Sequence, residues 1–276
     1  MAKLLTDIHT HSKFSFDGQS ELVEILKKAH EMGLAFYGVS EHFECAAYFS
    51  TDNTERKRTD ADAYFHAARH LQEDYAGCMN VLVGAEFGYQ DDPSTQAEFL
   101  SIIEKYSPDF VVNSVHGMKS RDYYYRELYG DKIQRSKAET YCEYLSLVRR
   151  SLDAPYPYDI VAHIGYATRY APYEDRRLSL AEFGAQIDDI LKTIINKDKI
   201  LELNSSNAGG VEPFLPSREI LTRYFQLGGR KISFGSDTHS TARIADKRAE
   251  LMEMLKEIGF TYITVPCRGE HIKVEI

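Results

Sequence analysis

Leu4-Leu5-Thr6-Asp7-Ile8-His9-Thr10-His11 is an apolar run that ends in two histidines one residue apart. Alternate side chains of a strand point the same way, so His9 and His11 converge on one point beyond the strand end. Neutral imidazole is the commonest protein ligand for zinc, iron and related ions. Two satisfied polar side chains at a barrel rim would account for a bare His-x-His equally well. What separates the readings is whether the same event recurs, an apolar run ending in a ligand-type residue.

It does. Residues 35–39 run into Ser40-Glu41-His42, 81–85 into Glu86, 110–115 into His116, and 159–162 into His163. Residues 200–203 run into Asn204-Ser205-Ser206-Asn207, and 231–234 into Gly235-Ser236-Asp237-Thr238-His239. Between these runs the apolar period switches to that of helices. In the first helix Leu22, Ile25, Leu26 and Ala29 share a face, Ser20 is the expected cap, and Gly33 stops it. Further helices are expected over 60–75, 95–106, 138–151, 180–195, 218–227 and 246–258, with a last short strand at 262–265. Seven strand–helix units in series predict a parallel α/β barrel, whose catalytic mouth lies at the carboxyl ends of the strands.

The bulk properties narrow the class. The chain has 276 residues, 43% of them hydrophobic, enough for one barrel, and we read 1–276 as a single domain. A net charge of −9 without a basic run argues against a nucleic-acid polymer as partner. Cys45, Cys78, Cys142 and Cys267 are scattered and suit a reducing, cytoplasmic compartment. No apolar run reaches the length of a membrane span, and the first residues are too short for a signal peptide. Oligomeric state leaves no mark in the pattern.

Not every histidine belongs to the mouth. His66 and His70 share a helix face, but the intervening Ala-Ala-Arg lacks the glutamate of the His-Glu-x-x-His zinc motif, so a solvated face is expected. His30 and His271 are read as incidental. The residues at strand ends, with Asp17 from the first loop, make nine candidates: His9, His11, Asp17, His42, Glu86, His116, His163, Asp237 and His239. A catalytic zinc takes about three protein ligands, so nine suit two or three ions with a shared carboxylate. Clustered divalent ions are the usual apparatus of phosphoester hydrolysis. Residues 43–59 read as an active-site loop, and the tyrosine-rich 117–135, with Arg121 and Arg126, as a rim insertion or a packed loop of rings.

His9-Thr-His11, Ser40-Glu-His42, Glu86, His116, His163 and Gly235-Ser-Asp237-Thr-His239 resemble, in order, the motifs of the PHP (polymerase and histidinol phosphatase) family. The opening His9-Thr-His-Ser-Lys-Phe-Ser-Phe-Asp17-Gly18 and the length are similar to the histidinol-phosphate phosphatase branch. The resemblance implies a distorted (β/α)7 barrel holding three divalent ions, with zinc, manganese and iron all suited to the mixed donor set. It implies His9, His11, Glu86 and Asp237 on the first ion, and Glu86, His116 and His163 on the second. Asp17, His42 and His239 fall to the third, where some family members have histidine in place of Asp17.

The implied reaction is hydrolysis of L-histidinol phosphate, a small phosphate monoester, by a hydroxide between the first two ions. Asp237 or a nearby histidine such as His239 would move the proton, and Arg169 would clamp the phosphate. Arg121 and Arg243 are alternative clamps. Glu41, Glu44 and Asn204 are open choices for the ammonium and imidazole. Competing readings are a PHP phosphoesterase for a nucleotide or another small ester and a non-catalytic PHP module of a polymerase. A third is an amide or lactone hydrolase bridged by carbamylated lysine, where this chain has Glu86.

Overall fold

Asn80-Val81-Leu82-Val83-Gly84-Ala85-Glu86-Phe87-Gly88 shows how this chain builds a barrel. The odd-numbered side chains face the helices: Phe87 stacks on Phe99 of the following helix with ring centroids 4.4 Å apart. The even-numbered ones face inward, where Gly84 leaves room for the Phe110 ring, which a Cβ at Gly84 would meet at 2.5 Å. Glu86 belongs to that inward set by period alone.

The computed structural model describes residues 5–45, 58–118, 121–130, 135–208 and 210–276. Its main sheet comprises β1 (Leu5–Asp7), β2 (Leu34–Phe43), β3 (Asn80–Gly88), β4 (Phe110–Ser114), β5 (Ile160–Val161), β6 (Ile200–Asn204) and β7 (Ile232–Gly235). Each strand pairs in parallel with the next in chain order. The ring closes between β7 and β1 through Ile8 N–H to the Phe234 carbonyl (3.0 Å), Asp237 N–H to His9 (2.8 Å) and His11 N–H to Thr238 (2.8 Å). Asp7 reinforces the seam, accepting from Ser236 N–H and Ala245 N–H at 2.8 Å each. The architecture is a (β/α)7 barrel, with closure falling next to the first two histidines.

A helix follows each strand: α1 (Leu22–Glu31), α2 (Ala61–Asp74), α3 (Pro93–Tyr106), α4 (Lys137–Ser151), α5 (Leu180–Asn196), α6 (Arg218–Gln226) and α7 (Arg248–Ile258). Asp60, Asp92, Ser136 and Ser217 cap α2, α3, α4 and α6 through their side chains. The first cap differs from expectation: Glu21 forms a capping box with Glu24, while Ser20 Oγ accepts from Thr241 N–H. The last strand also differs. β8 (Tyr262–Cys267) pairs antiparallel with β9 (Glu270–Glu275), a hairpin whose charged second strand hides its alternation. Arg268 ties this hairpin to buried Asp109, Nε to Oδ1 at 2.6 Å, and Arg69 reaches the other carboxylate oxygen at 2.7 Å.

The tyrosine-rich insertion divides. Tyr123 and Tyr129 are buried, while Tyr124 is exposed against Tyr125 and Tyr170. Arg121 lies exposed on a two-residue ladder with Gly117–Met118. Residues 119–120 and 131–134, the side chain of Arg126, and 46–57 of the expected active-site loop lie outside the described residues. His66 and His70 are exposed on α2, the solvated face expected for them.

Candidate metal centre

The residues expected at strand ends meet at one end of the barrel, though not all of them follow a strand. β2 and β3 run past His42 and Glu86, which are register partners inside the sheet, so these two reach the cluster by pointing inward. Glu86 lies at its middle, fully buried. Its Oε1 is 3.1 Å from His116 Nε2, 3.0 Å from His163 Nε2 and 3.4 Å from His9 Nε2. Its Oε2 is 3.5 Å from His11 Nε2 and 2.6 Å from His42 Nδ1. Asp237 Oδ1 is 3.2 Å from His11 Nε2 and 3.9 Å from His9 Nε2. Towards solvent, His239 Nε2 is 3.3 Å from both His42 Nε2 and Asp17 Oδ1. All nine candidates therefore belong to one continuous cluster.

Two of these residues carry left-handed backbone, His163 at φ 29° and Asp237 at φ 50°. Such residues are costly outside glycine and collect at functional sites. The ring atoms crowd: His11 lies stacked against His42 and His239, with centroids 4.1 and 4.4 Å away.

Electrostatics match the crowding. Burial works against a charge on Glu86, but His9, His116 and His42 overcome it and hold the carboxyl well below the usual carboxylate range. Burial, followed by His42 and His239, holds His11 well below the ordinary imidazole value, leaving a neutral ring. Burial also opposes charge on His9, yet Glu202 and Glu86 raise its value well above the ordinary one.

The donor set fits divalent cations. Ligand atoms of His9, His11 and Asp237, of His42, Glu86 and His116, and of His11, His42 and His239 each lie within 4.8 Å of one another. Glu86 Oε2 and His42 Nδ1 approach to 2.6 Å without hydrogen-bond alignment, and neither has a hydrogen-bond partner among the described residues. Buried lone pairs pressed together without an aligned proton are relieved by a cation. The last of these groups puts His11 beside His42 and His239, whereas the family pattern puts Asp17 there.

The cluster opens into a cleft of about 300 Å³ lined by Phe16, Asp17, His42, His116, Asp122, Tyr124, Tyr166, Arg169, Tyr170, Asp237 and His239. Arg169 lies in this wall, its guanidinium 4.9 Å from the Tyr166 ring centroid and 6.0 Å from that of Tyr170, with Nη2 donating to the Ser206 carbonyl. Arg243 is half-buried and reaches Ser206 Oγ only at 3.5 Å while pairing with Asp246.

The three expected acceptors for the ammonium and imidazole are engaged elsewhere. Glu41, next to His42 and so on the opposite strand face, accepts from Ser12 Oγ and Ser15 Oγ at 2.6 Å each. Glu44 accepts from His116 Nδ1 at 2.5 Å. Asn204 donates to Glu202 at 3.2 Å and to Asp237 at 3.4 Å. Sequence reading missed Glu202, whose Oε1 is 2.6 Å from His9 Nδ1, and Asp122, which accepts from Tyr124 N–H at 2.6 Å in the cleft wall. The alternation Leu201-Glu202-Leu203-Asn204 was the available signal for Glu202.

The PHP domain model matches residues 7–206. The chain belongs to the PHP family. It is 28% identical over 236 residues to a probable histidinol-phosphatase from Clostridium acetobutylicum, covering 86% of this chain and 87% of that protein. It is 27% identical over 255 residues to a histidinol-phosphatase from Lactococcus lactis, covering 92% and 91%. Its fold matches the crystal structure of the Lactococcus lactis histidinol phosphate phosphatase complexed with zinc, L-histidinol and phosphate. That match has a TM-score of 0.82 and 24% identity and covers 98% of this chain and 99% of the other.

Proposed function

We propose that this chain is a metal-dependent phosphoric monoester hydrolase that converts L-histidinol phosphate to L-histidinol and phosphate. The observation that carries the reading is the cluster of six imidazoles around Glu86, five of them buried, open on one side to a cleft of substrate size. Histidinol-phosphatase relatives aligned over most of both chains supply the substrate.

His9, His11, Glu86 and Asp237 would hold one divalent ion, Glu86, His116 and His163 a second, and Asp17, His42 and His239 a third. Zinc, manganese and iron suit this mixture of imidazole and carboxylate. When bound, such ions neutralise phosphate charge and supply a water of lowered pKa. Arg169 holds a phosphate oxygen pair with its planar fork, backed by Tyr166 and Tyr170. Asp237 accepts the proton of the attacking water and returns it to the leaving alkoxide, beside which lies His239, the member of the six imidazoles most open to the cleft. Asp122 is the cleft carboxylate outside the nine and faces the substrate's ammonium.

The substrate is a small ester, not a polymer. Among the described residues no helix is long and apolar enough to cross a membrane. The test is steady-state phosphate release from L-histidinol phosphate beside a panel of sugar phosphates and nucleotides, on zinc- and manganese-loaded protein. A kcat/KM for histidinol phosphate no higher than for the panel would refute the substrate while leaving the hydrolase. No release from any ester would refute the hydrolase.

A further inference from the structure

Glu202 is fully buried on β6, two residues before Asn204 on the same inward face, and none of the nine expected ligands depends on it by sequence. Its two oxygens do different work. Oε1 lies 2.6 Å from His9 Nδ1. Oε2 accepts the backbone N–H of His163 at 2.8 Å and the side-chain amide of Asn204 at 3.2 Å. His163 is the residue whose left-handed backbone turns its ring towards Glu86. One carboxylate therefore fixes a ring from the first proposed ion site and the main chain carrying a ring of the second.

We propose that Glu202 is a positioning residue that locks His9 in the tautomer with its proton on Nδ1, leaving a bare Nε2 for the ions, and holds His163 in its left-handed turn, which aims that ring's Nε2 at the same cluster. The proposal rests on the metal reading above. Its force comes from counting acceptors. His9 Nδ1–H, His163 N–H and the Asn204 amide are donors, and a carboxylate offers acceptor lone pairs on both of its oxygens. An amide of the same shape accepts on one side only. In Glu202→Gln the carbonyl can face His9, which sets an NH2 against the His163 N–H and the Asn204 amide. Flipped, the NH2 faces His9 Nδ1, which must then accept, and the ring proton moves to Nε2, the atom 3.1 Å from His11 Nε2. Either way a buried donor loses its partner or a ligand lone pair is lost. Gly235 shows how little slack the site has: a Cβ there would lie 2.5 Å from both Glu202 Oε1 and His9 Cβ.

Partners that orient ligating histidines change metal affinity about 10–100-fold when removed. The experiment combines two readouts on 15N-histidine-labelled protein: the tautomer of each ring from long-range proton–nitrogen spectra, and zinc affinity from competition with a chelator. The expectation is that wild-type His9 carries its proton on Nδ1. Glu202→Gln then shows zinc affinity lowered at least tenfold, with a changed His9 or His163 ring signal and His116, held by Glu44, unchanged. Glu202→Asp, which keeps two acceptors on a shorter stem, recovers part of the affinity. A Glu202→Gln protein with wild-type ring signals and zinc affinity within threefold overturns the proposal. If that variant does not fold, the wild-type spectrum decides, since a zinc-loaded protein in which His9 carries its proton on Nε2 also overturns it. Wild-type protein that binds no zinc, manganese or iron refutes the metal reading itself, and is distinguished by being seen before any variant is made.

Discussion

Replacing Arg169 tests the anion side of the cleft, and the structure gives the size of the effect. The guanidinium has five N–H donors. Nη2 donates one to the Ser206 carbonyl, and the buried Nε–H has no partner among the described residues. Donors are therefore left over, beside a cluster that collects cations, in the wall of the cleft. A hydrogen bond between charged groups contributes about 1.5–3 kcal/mol, and a fork makes two. Arg169→Ala should therefore cost roughly 3–5 kcal/mol of transition-state binding, or about 10²–10⁴-fold in kcat/KM. Arg169→Lys keeps the charge but loses both the fork and the stacking on Tyr166, so it should recover only part. The assay is phosphate release from L-histidinol phosphate, with inhibition by inorganic phosphate as an independent measure of anion binding. Bound metal and thermal stability serve as controls for a collapsed wall. An Arg169→Ala enzyme with kcat/KM and phosphate inhibition within threefold of wild type, at equal metal content, would show that the guanidinium only braces the Ser206 segment.

Glu86→Gln removes the carboxylate that the two proposed inner ion sites would share and should lower bound metal by at least one equivalent per chain, with activity down on the order of 10²–10³-fold. Full metal content and full rate together would exclude the shared role. Chelation should lower the melting temperature of wild type, because ligand at about a hundred times its Kd stabilises by roughly 2.7 kcal/mol, or about 5–10 °C for a domain of this size. A scan unchanged by chelator, on protein shown to have lost its metal, would contradict this. Asp109→Ala should destabilise by about 2–4 kcal/mol at pH 7, since it removes the anchor of Arg268 and Arg69 and the acceptor of Val83 N–H. Burial opposes its charge, but Arg268 and Arg69 hold its carboxyl below the ordinary value. Its contribution is therefore present above the unfolded value near about 4 and lost as pH falls through the folded one. Urea unfolding at pH 7 and pH 3 should show the gap between wild type and variant narrowing at the lower pH, and a constant gap would refute the assignment.

What was legible in the sequence follows from which residues carry a periodic signal. The barrel was legible because each strand is an apolar run and each helix an amphipathic one, and the two periods alternate seven times. Eight of the nine ligand candidates were legible because a polar residue closing an apolar run is conspicuous, and Asp17 because it lies in the loop just after the first two of them. Boundaries were less so. β2 runs to Phe43 although Ser40, Glu41 and His42 look like a polar exit, because the barrel interior at this end is itself polar and the ladder with β3 continues through it. The second strand of the terminal hairpin, Glu-His-Ile-Lys-Val-Glu, was missed because only Val274 of it is buried.

The orienting carboxylates were hidden for a different reason. Glu41, Glu44 and Glu202 look like rim or solvent residues because a glutamate in a sequence is normally exposed, yet all three are buried. Each is held by neighbours from other segments of the chain, Ser12 and Ser15, His116, and His9 with His163, separated from it by at least 26 residues. Composition cannot reveal such pairs, but strand parity can. Glu44 follows His42, and Glu202 precedes Asn204, by two, so each shares the inward face of a residue already singled out. Glu41 has the opposite parity and accordingly supports the His11–Ser15 turn instead of entering the cluster. An acidic residue in phase with an inward-facing polar residue is thus a partner for a ligand ring that comes from another part of the barrel, and one out of phase is a partner for the loop behind it.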